Sequence, residues 1–276
     1  MRREAEHGMM NCGRRWREGR VIGLVITIGV VLVGCAETRS QIQTEFREGR
    51  IAQQNYDAGK GKYRARDYAG AVPLFQRTLS LDPKYDDAEI YLGWSFYHLG
   101  QYPDATRHFR QVVARQPRWE GAWNGLGWSQ YRAGQYQVAL QAFQEAVSLD
   151  PAYRDVGVGL AYALFELGRY REALPHLHRL TREGAYLYFP EPNSDVKEVR
   201  SRYAWCLYYT GGYQQARDEF AKGIQAHPKW AGLHSGLGWT YLKLGDRAKA
   251  RESFQQALRL DPEYADARKG LAEANR

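Results

Sequence analysis

Apolar, small and polar positions recur along this chain in a fixed order, and through most of it the order repeats every 34 residues. Leu92-Gly93-Trp94-Ser95 returns as Leu126-Gly127-Trp128-Ser129 and again as Leu237-Gly238-Trp239-Thr240. Adjacent Leu and Gly or Ala, with a large residue a turn earlier, make one packing stripe along a helix. A Gly follows at Gly100, Gly134, Gly168, Gly211 and Gly245, where it ends that helix at little cost. Two residues on stands Tyr102, Tyr136, Tyr170 or Tyr213, with Arg247 in the last place. A second helix then carries Ala71, Ala105, Ala139, Ala173, Ala216 and Ala250, and four residues later Phe75, Phe109, Phe143, Leu177, Phe220 and Phe254. That spacing lets the Ala admit a close neighbour while the large side chain fills the seam on the same face. Pro83, Pro117, Pro151, Pro228 and Pro262 stop the second helices, because the residue before Pro resists the helical region.

The pattern predicts an all-α chain of helix-turn-helix units at about 52–85, 86–119, 120–153, 154–187, 197–230 and 231–264. Residues 265–276 begin a further first helix without a second, and their Arg268, Lys269 and Glu273 suit a solvated cap. The first unit is degenerate, with Lys60 and Lys62 where later units are apolar or aromatic. No unit buries its apolar face alone, so stability must come from stacking. These positions resemble the tetratricopeptide repeat over about residues 52–276. The resemblance implies an α-solenoid of six repeats plus a capping helix, whose first helices line a concave groove.

The register slips once. Between Leu180 and Lys197 the closing Pro is missing, and Tyr186-Leu187-Tyr188-Phe189-Pro190-Glu191-Pro192-Asn193 lengthens the period. The segment 188–196 is expected to be an insertion between repeats 1–4 (52–187) and repeats 5–6 (197–264). It reads either as a longer loop tucked on the solenoid or as a contact arm beside the groove.

Twenty Tyr and eight Trp are a heavy load of rings with one apolar face and a wet edge. The residue after each Leu-Gly pair is Trp94, Trp128, Tyr162, Trp205 or Trp239, and three residues further lie Tyr97, Tyr131, Phe165, Tyr208 and Leu242. A three-residue step keeps both on one helical face. On the resemblance, these positions form an aromatic ladder along the groove, edged by His98, Arg132, Glu166, Tyr209 and Lys243. Two readings stay open. The rings pack between neighbouring first helices and stiffen the array, which suits the Tyr set, or the Trp faces grip sugar rings or peptide segments. Tetratricopeptide domains that clamp a terminal carboxylate use Lys, Asn and Arg at these inner sites, and Trp stands here where they have Asn.

The N-terminus carries a different signal. Arg14, Arg15, Arg17 and Arg20 precede the uncharged run Val21 to Val33, which falls short of the ~20 residues of a spanning helix. This is the layout of a secretory signal peptide. Leu32-Val33-Gly34-Cys35 resembles the bacterial lipobox, so residues 1–34 are expected to be removed and Cys35 lipidated. A short uncleaved anchor and an ordinary signal peptide are the alternatives. Residues 35–51 would form a tether, and Ala36 in place of Asp implies the periplasmic face of the outer membrane.

The net charge of +8 includes six Arg and three Glu in residues 1–34, which leaves 33 basic against 28 acidic residues beyond them. No basic cluster tracks a phosphate backbone, so nucleic acid is not an expected partner. The chain shows no Ser-centred nucleophile turn, phosphate loop or zinc-protease motif, and its Gly residues sit at helix-packing and helix-ending positions. His176 and His178 diverge on a helix. Cys206 reads as a small buried hydrophobe. The sequence therefore points away from an enzyme, a metal or a cofactor, and toward an envelope scaffold for a protein complex or a polysaccharide. The roles implied by the resemblance to tetratricopeptide lipoproteins are polysaccharide export or assembly on one side, and an adaptor for pilus, secretion or cell-wall enzyme complexes on the other.

Overall fold

The computed structural model describes residues 35–150, 154–183 and 196–276. The expected leader, 1–34, lies outside the described residues, as does the 188–195 part of the expected insertion. The described chain is helical throughout: α1 (Cys35–Arg64), α2 (Tyr68–Leu81), α3 (Asp86–His98), α4 (Tyr102–Arg115), α5 (Glu120–Arg132), α6 (Tyr136–Leu149) and α7 (Arg154–Glu166). It continues as α8 (Tyr170–Glu183), α9 (Val196–Tyr209), α10 (Tyr213–Ala226), α11 (Ala231–Lys243), α12 (Arg247–Leu260) and α13 (Ala265–Ala274). The described residues fall into two units that divide between Ala52 and Gln53. α1 runs through the boundary, so residues 35–51, expected as a tether, are helical. Ala, Glu, Gln and Arg are good helix formers and supply much of that stretch.

Within Gln53–Arg276 the helices alternate as first and second members of a pair, and each packs on the next. The turn between members is tight. Gly100 (φ 76°) and Gly211 (φ 91°) adopt the left-handed conformation that caps a first helix. In the first unit Arg66 takes the same conformation, φ 62°, without the freedom of Gly, a strain of about 1–2 kcal/mol. Asp67 and Asp246 cap the helices that follow them by accepting from the Gly70 and Lys249 backbone N–H groups.

One socket repeats through the core. Phe109, Phe143 and Phe254 are fully buried on second helices. Each ring lies against a Gly of its own first helix and a Gly of the next. A Cβ on Gly93 would stand 3.0 Å from Phe109, one on Gly127 2.6 Å from Phe143, and one on Gly238 2.7 Å from Phe254. On the other side, a Cβ on Gly125, Gly159 or Gly270 would overlap the same three rings. The missing side chains are what let three helices close around one ring. The sequence carries this second Gly in the triplets Gly125-Leu126-Gly127 and Gly236-Leu237-Gly238.

Consecutive first helices also touch each other directly: α3 with α5, α5 with α7, α7 with α9, α9 with α11 and α11 with α13. Among the described residues, second helices meet first helices only. Rows spaced so unequally must curve, and the row in mutual contact is the inner one. This gives α3, α5, α7, α9 and α11 the concave side of the stacked array.

Candidate binding groove

The inner row places every ring that the sequence singled out, but not with equal access. Trp94 and Tyr97 on α3 keep 4% of their surface each, Trp128 on α5 keeps 8%, and Tyr162 on α7 keeps 3%. These four are core. The expected run of open rings is thereby shortened, and the reason is geometric. Each Trp turns its edge or face onto the socket ring of its own repeat: Trp94 to Phe109 at 5.1 Å, Trp128 to Phe143 at 5.4 Å, Trp205 to Phe220 at 5.3 Å and Trp239 to Phe254 at 5.4 Å, all near perpendicular. The i+3 Tyr completes the contact, with Tyr97, Tyr131 and Tyr208 in edge contacts at 81–82° on Trp94, Trp128 and Trp205, separated by 5.3, 5.7 and 5.3 Å. Such edge-to-face pairs add to burial by about 0.5–1.5 kcal/mol each. Tyr131, Phe165, Trp205, Tyr208 and Trp239 are half-buried and keep part of their surface in solvent.

At the centre of the row lies a charge that helical spacing did not single out. Arg202 on α9 sits 3.9 Å from the Tyr162 ring centre. Its Nη2 donates to the Tyr131 hydroxyl at 3.3 Å and to Glu166 at 3.2 Å, while Nη1 donates to Glu198 at 3.0 Å. The Tyr131 hydroxyl donates in turn to Glu166 at 3.1 Å. Three first helices, α5, α7 and α9, are thus tied by one guanidinium. Burial works against the Arg202 charge, but the oxygens of Tyr131, Tyr162, Glu198 and Glu166 outweigh it and raise its pKa. Burial also raises the Tyr162 hydroxyl to about 12, with Arg202 opposing, so both groups hold one protonation state across the physiological range. Arg202 stands where α5, α7 and α11 carry Gly125, Gly159 and Gly236, and the preceding second helix answers with Leu177 in place of Phe. Both departures were visible in the sequence, and only together do they mark the site.

The turn Tyr of each unit supplies a further link. Tyr68 stacks on His98 at 4.3 Å, Arg132 lies 5.2 Å from the Tyr102 ring, and Tyr170 stacks on Tyr209 at 4.3 Å. Each joins a turn to the end of the next first helix, at the positions expected to edge the groove. Deeper, Asn124 on α5 is 99% buried with both amide atoms unpartnered, and His108 meets Glu89 at 2.6 Å. Cys206 is fully enclosed, and burial pushes its thiol up to about 12, so it is a neutral apolar filler. Cys35 opens α1, and its side chain lies outside the described ones. Among the described residues no three ligating side chains converge, and no helix is long and apolar enough to cross a membrane.

Comparison with known families decides the architecture. Tetratricopeptide-repeat profiles match residues 56–118, 92–154 and 158–230, with further matches at 130–185 and 231–264. The chain belongs to the tetratricopeptide-repeat family. Compared with curated proteins by sequence, it matches none. Among solved structures, YrrB, described as a tetratricopeptide-repeat protein with an unusual peptide-binding site, is similar with a TM-score of 0.60 at 20% identity, over 71% of this chain and 96% of that one. PilF of Pseudomonas aeruginosa is similar with a TM-score of 0.63 at 21% identity, over 82% and 99%. A chain of the APC/C hetero-tetramer Cut9-Hcn1 is similar with a TM-score of 0.62 at 17% identity, over 82% of this chain and 43% of that one. At these identities the likeness is one of fold. A tetratricopeptide-repeat array is an interaction scaffold, and the inner row of first helices is where this one offers its rings.

Proposed function

We propose that this chain is a non-catalytic scaffold lipoprotein of the bacterial cell envelope that holds a protein partner along its inner row of first helices. The observation that carries this reading is the half-buried series Tyr131, Phe165, Trp205, Tyr208 and Trp239, backed by a rigid core of sockets. Rings that are fixed from behind and partly open in front make good interface anchors, because little freedom is lost when a partner covers them. The peptide-binding site named for YrrB supports the same use of the fold. With Trp94 and Trp128 buried, the groove offers less flat surface to sugar rings than its sequence promised. An adaptor for pilus, secretion or cell-wall enzyme complexes is therefore favoured over a polysaccharide bound in the groove itself. The reading invokes no cofactor and no nucleic acid.

Photo-crosslinking in intact cells tests the groove. A crosslinking residue at Tyr208 or Trp239 should give an adduct with one protein, and the same residue at exposed Arg110 on α4 should not. Equal labelling from Arg110, or none from the two groove positions, would end the proposal. The location is tested apart from the groove. The lipobox resemblance supports a lipid on Cys35, and Ala36 in place of Asp supports the periplasmic face of the outer membrane. Cys35→Ser should abolish palmitate incorporation and release the chain from the membrane fraction; retained label would refute the lipid anchor.

A further inference from the structure

The face of α8 carries a feature that a protein-binding groove does not require. Tyr209, 52% exposed, stacks flat on Tyr170 at 4.3 Å and 17°, with Trp205 behind it at 5.7 Å and 24°. The stack borders a cavity of about 320 Å³ that is also lined by Arg169, Arg171 and Glu172. Arg169 and Glu172 hold each other through two 2.7 Å hydrogen bonds. Arg171 makes no ion pair among the described residues, and neither do Arg179 and Arg182.

Those three cations share a side of the helix. Steps of four, three and four residues lead from Arg171 through Pro175 and His178 to Arg182, which is one helical stripe. A second cavity, of about 380 Å³, is lined by Pro175, His178, Arg179 and Arg182. The stripe is thus a row with an aromatic plate at one end and a basic hollow at the other, and from Arg171 to Arg182 it rises about 16 Å at ~1.5 Å per residue. On α10, by contrast, Arg217 and Lys222 are neutralised by Asp218 and Glu219.

We infer that this face of α8 binds an acidic polysaccharide, one uronate-bearing sugar stacking at Tyr170–Tyr209 and the next acidic groups reaching Arg171, Arg179 and Arg182. A sugar ring presents an apolar C–H face to an aromatic plate and hydroxyls at its edge. The bidentate Arg169–Glu172 pair offers both donors and acceptors to those hydroxyls. A guanidinium without an acidic partner takes a carboxylate in a two-pronged contact. A nucleic acid would also stack on the plate and carry charge, and the oligo(dT) arm of the test separates it from a uronate chain. The inference shares the envelope setting of the proposed function; its plate takes Tyr209 from the rim of the inner row, and its charges lie on α8.

Titration calorimetry on the full chain in detergent micelles tests it, with polygalacturonate as the probe. Binding is expected, with methyl-esterified polygalacturonate at least about tenfold weaker, since esterification removes the charge that the Arg row reads. Tyr209→Ala should weaken binding about tenfold and Tyr209→Phe should leave it unchanged, because the plate and not the hydroxyl makes the contact. Arg171→Ser, Arg179→Ser and Arg182→Ser combined should abolish it. No heat with polygalacturonate overturns the inference, as does equal binding by the triple variant. Equal affinity for dextran sulfate or oligo(dT) with no loss in Tyr209→Ala would also overturn it, by reducing the face to a charge sink. If Tyr209→Ala alters the circular dichroism spectrum, the Tyr209→Phe and triple variants decide. Crosslinking from Tyr208 and Trp239 should survive the triple variant, so failure here and failure of the groove proposal are separable.

Discussion

Phe143→Ala should lower the stability of the array by about 3–5 kcal/mol, measured as a shift in the denaturant midpoint by circular dichroism. The ring is fully buried and enclosed by α5 and α7 through Gly127 and Gly159, with Trp128 perpendicular to it at 5.4 Å. Emptying the socket leaves a hole that three helices share, and none can move in without breaking the others. The loss should therefore spread to both neighbouring repeats, as faster hydrogen exchange in α5 and α7. Filling the socket from the other side has the same sign. Gly159→Ala should cost about 1–3 kcal/mol by overpacking, although Ala is the better helix former by about 1 kcal/mol. Combining it with Phe143→Leu should recover part of that loss, because the fourth second helix already carries Leu177 in the equivalent place. A Phe143→Ala loss below about 1.5 kcal/mol would mean the helices do collapse into the space and the socket is not rigid.

The second large effect belongs to Arg202. Arg202→Leu leaves Glu166 and Glu198 without their shared cation and the Tyr131 hydroxyl without its donor. Removing one partner of a fully buried pair costs about 3–5 kcal/mol. The Arg202 side chain keeps 20% of its surface, and Glu166 and Glu198 keep 28% and 30%, so solvent screening reduces the expectation to about 2–3 kcal/mol. Arg202→Lys should recover little. An ammonium cannot lie flat on the Tyr162 ring while donating in three directions from one plane. Thermal melts of the two variants check both statements, and a Lys variant as stable as the parent would show that charge alone holds the three helices.

The sequence made the helices legible because its period is long and several positions coincide. Gly100 and Gly211 read as turns and are left-handed turns. The family, the alternation of first and second helices and the burial of Cys206 followed from the same pattern. The direction of the rings did not. Spacing put Trp94 and Trp205 on one helical face, but helical spacing is blind to what stands opposite. Gly93 opens a pit beside Phe109, and Trp94 closes over it until 4% of its surface remains. Trp205 has the same perpendicular contact, with Phe220, and stays more open. Arg202 was illegible for a related reason. A charge on an amphipathic helix is normally assigned to water, and only the loss of Gly at its position and of Phe at Leu177 reveals that it occupies the place of a socket.

Each socket is owned jointly: the ring belongs to one unit and half of its walls to the next. An array built this way can lengthen or shorten by whole units wherever the two halves match, since a duplicated Phe meets another Gly. The seam between the fourth and fifth units is keyed differently. A unit ending in Phe would meet Arg202 there, and a unit beginning with Gly would leave Leu177 facing a gap. The repeats on either side are interchangeable parts in the history of such a chain, while that seam must be inherited as a pair.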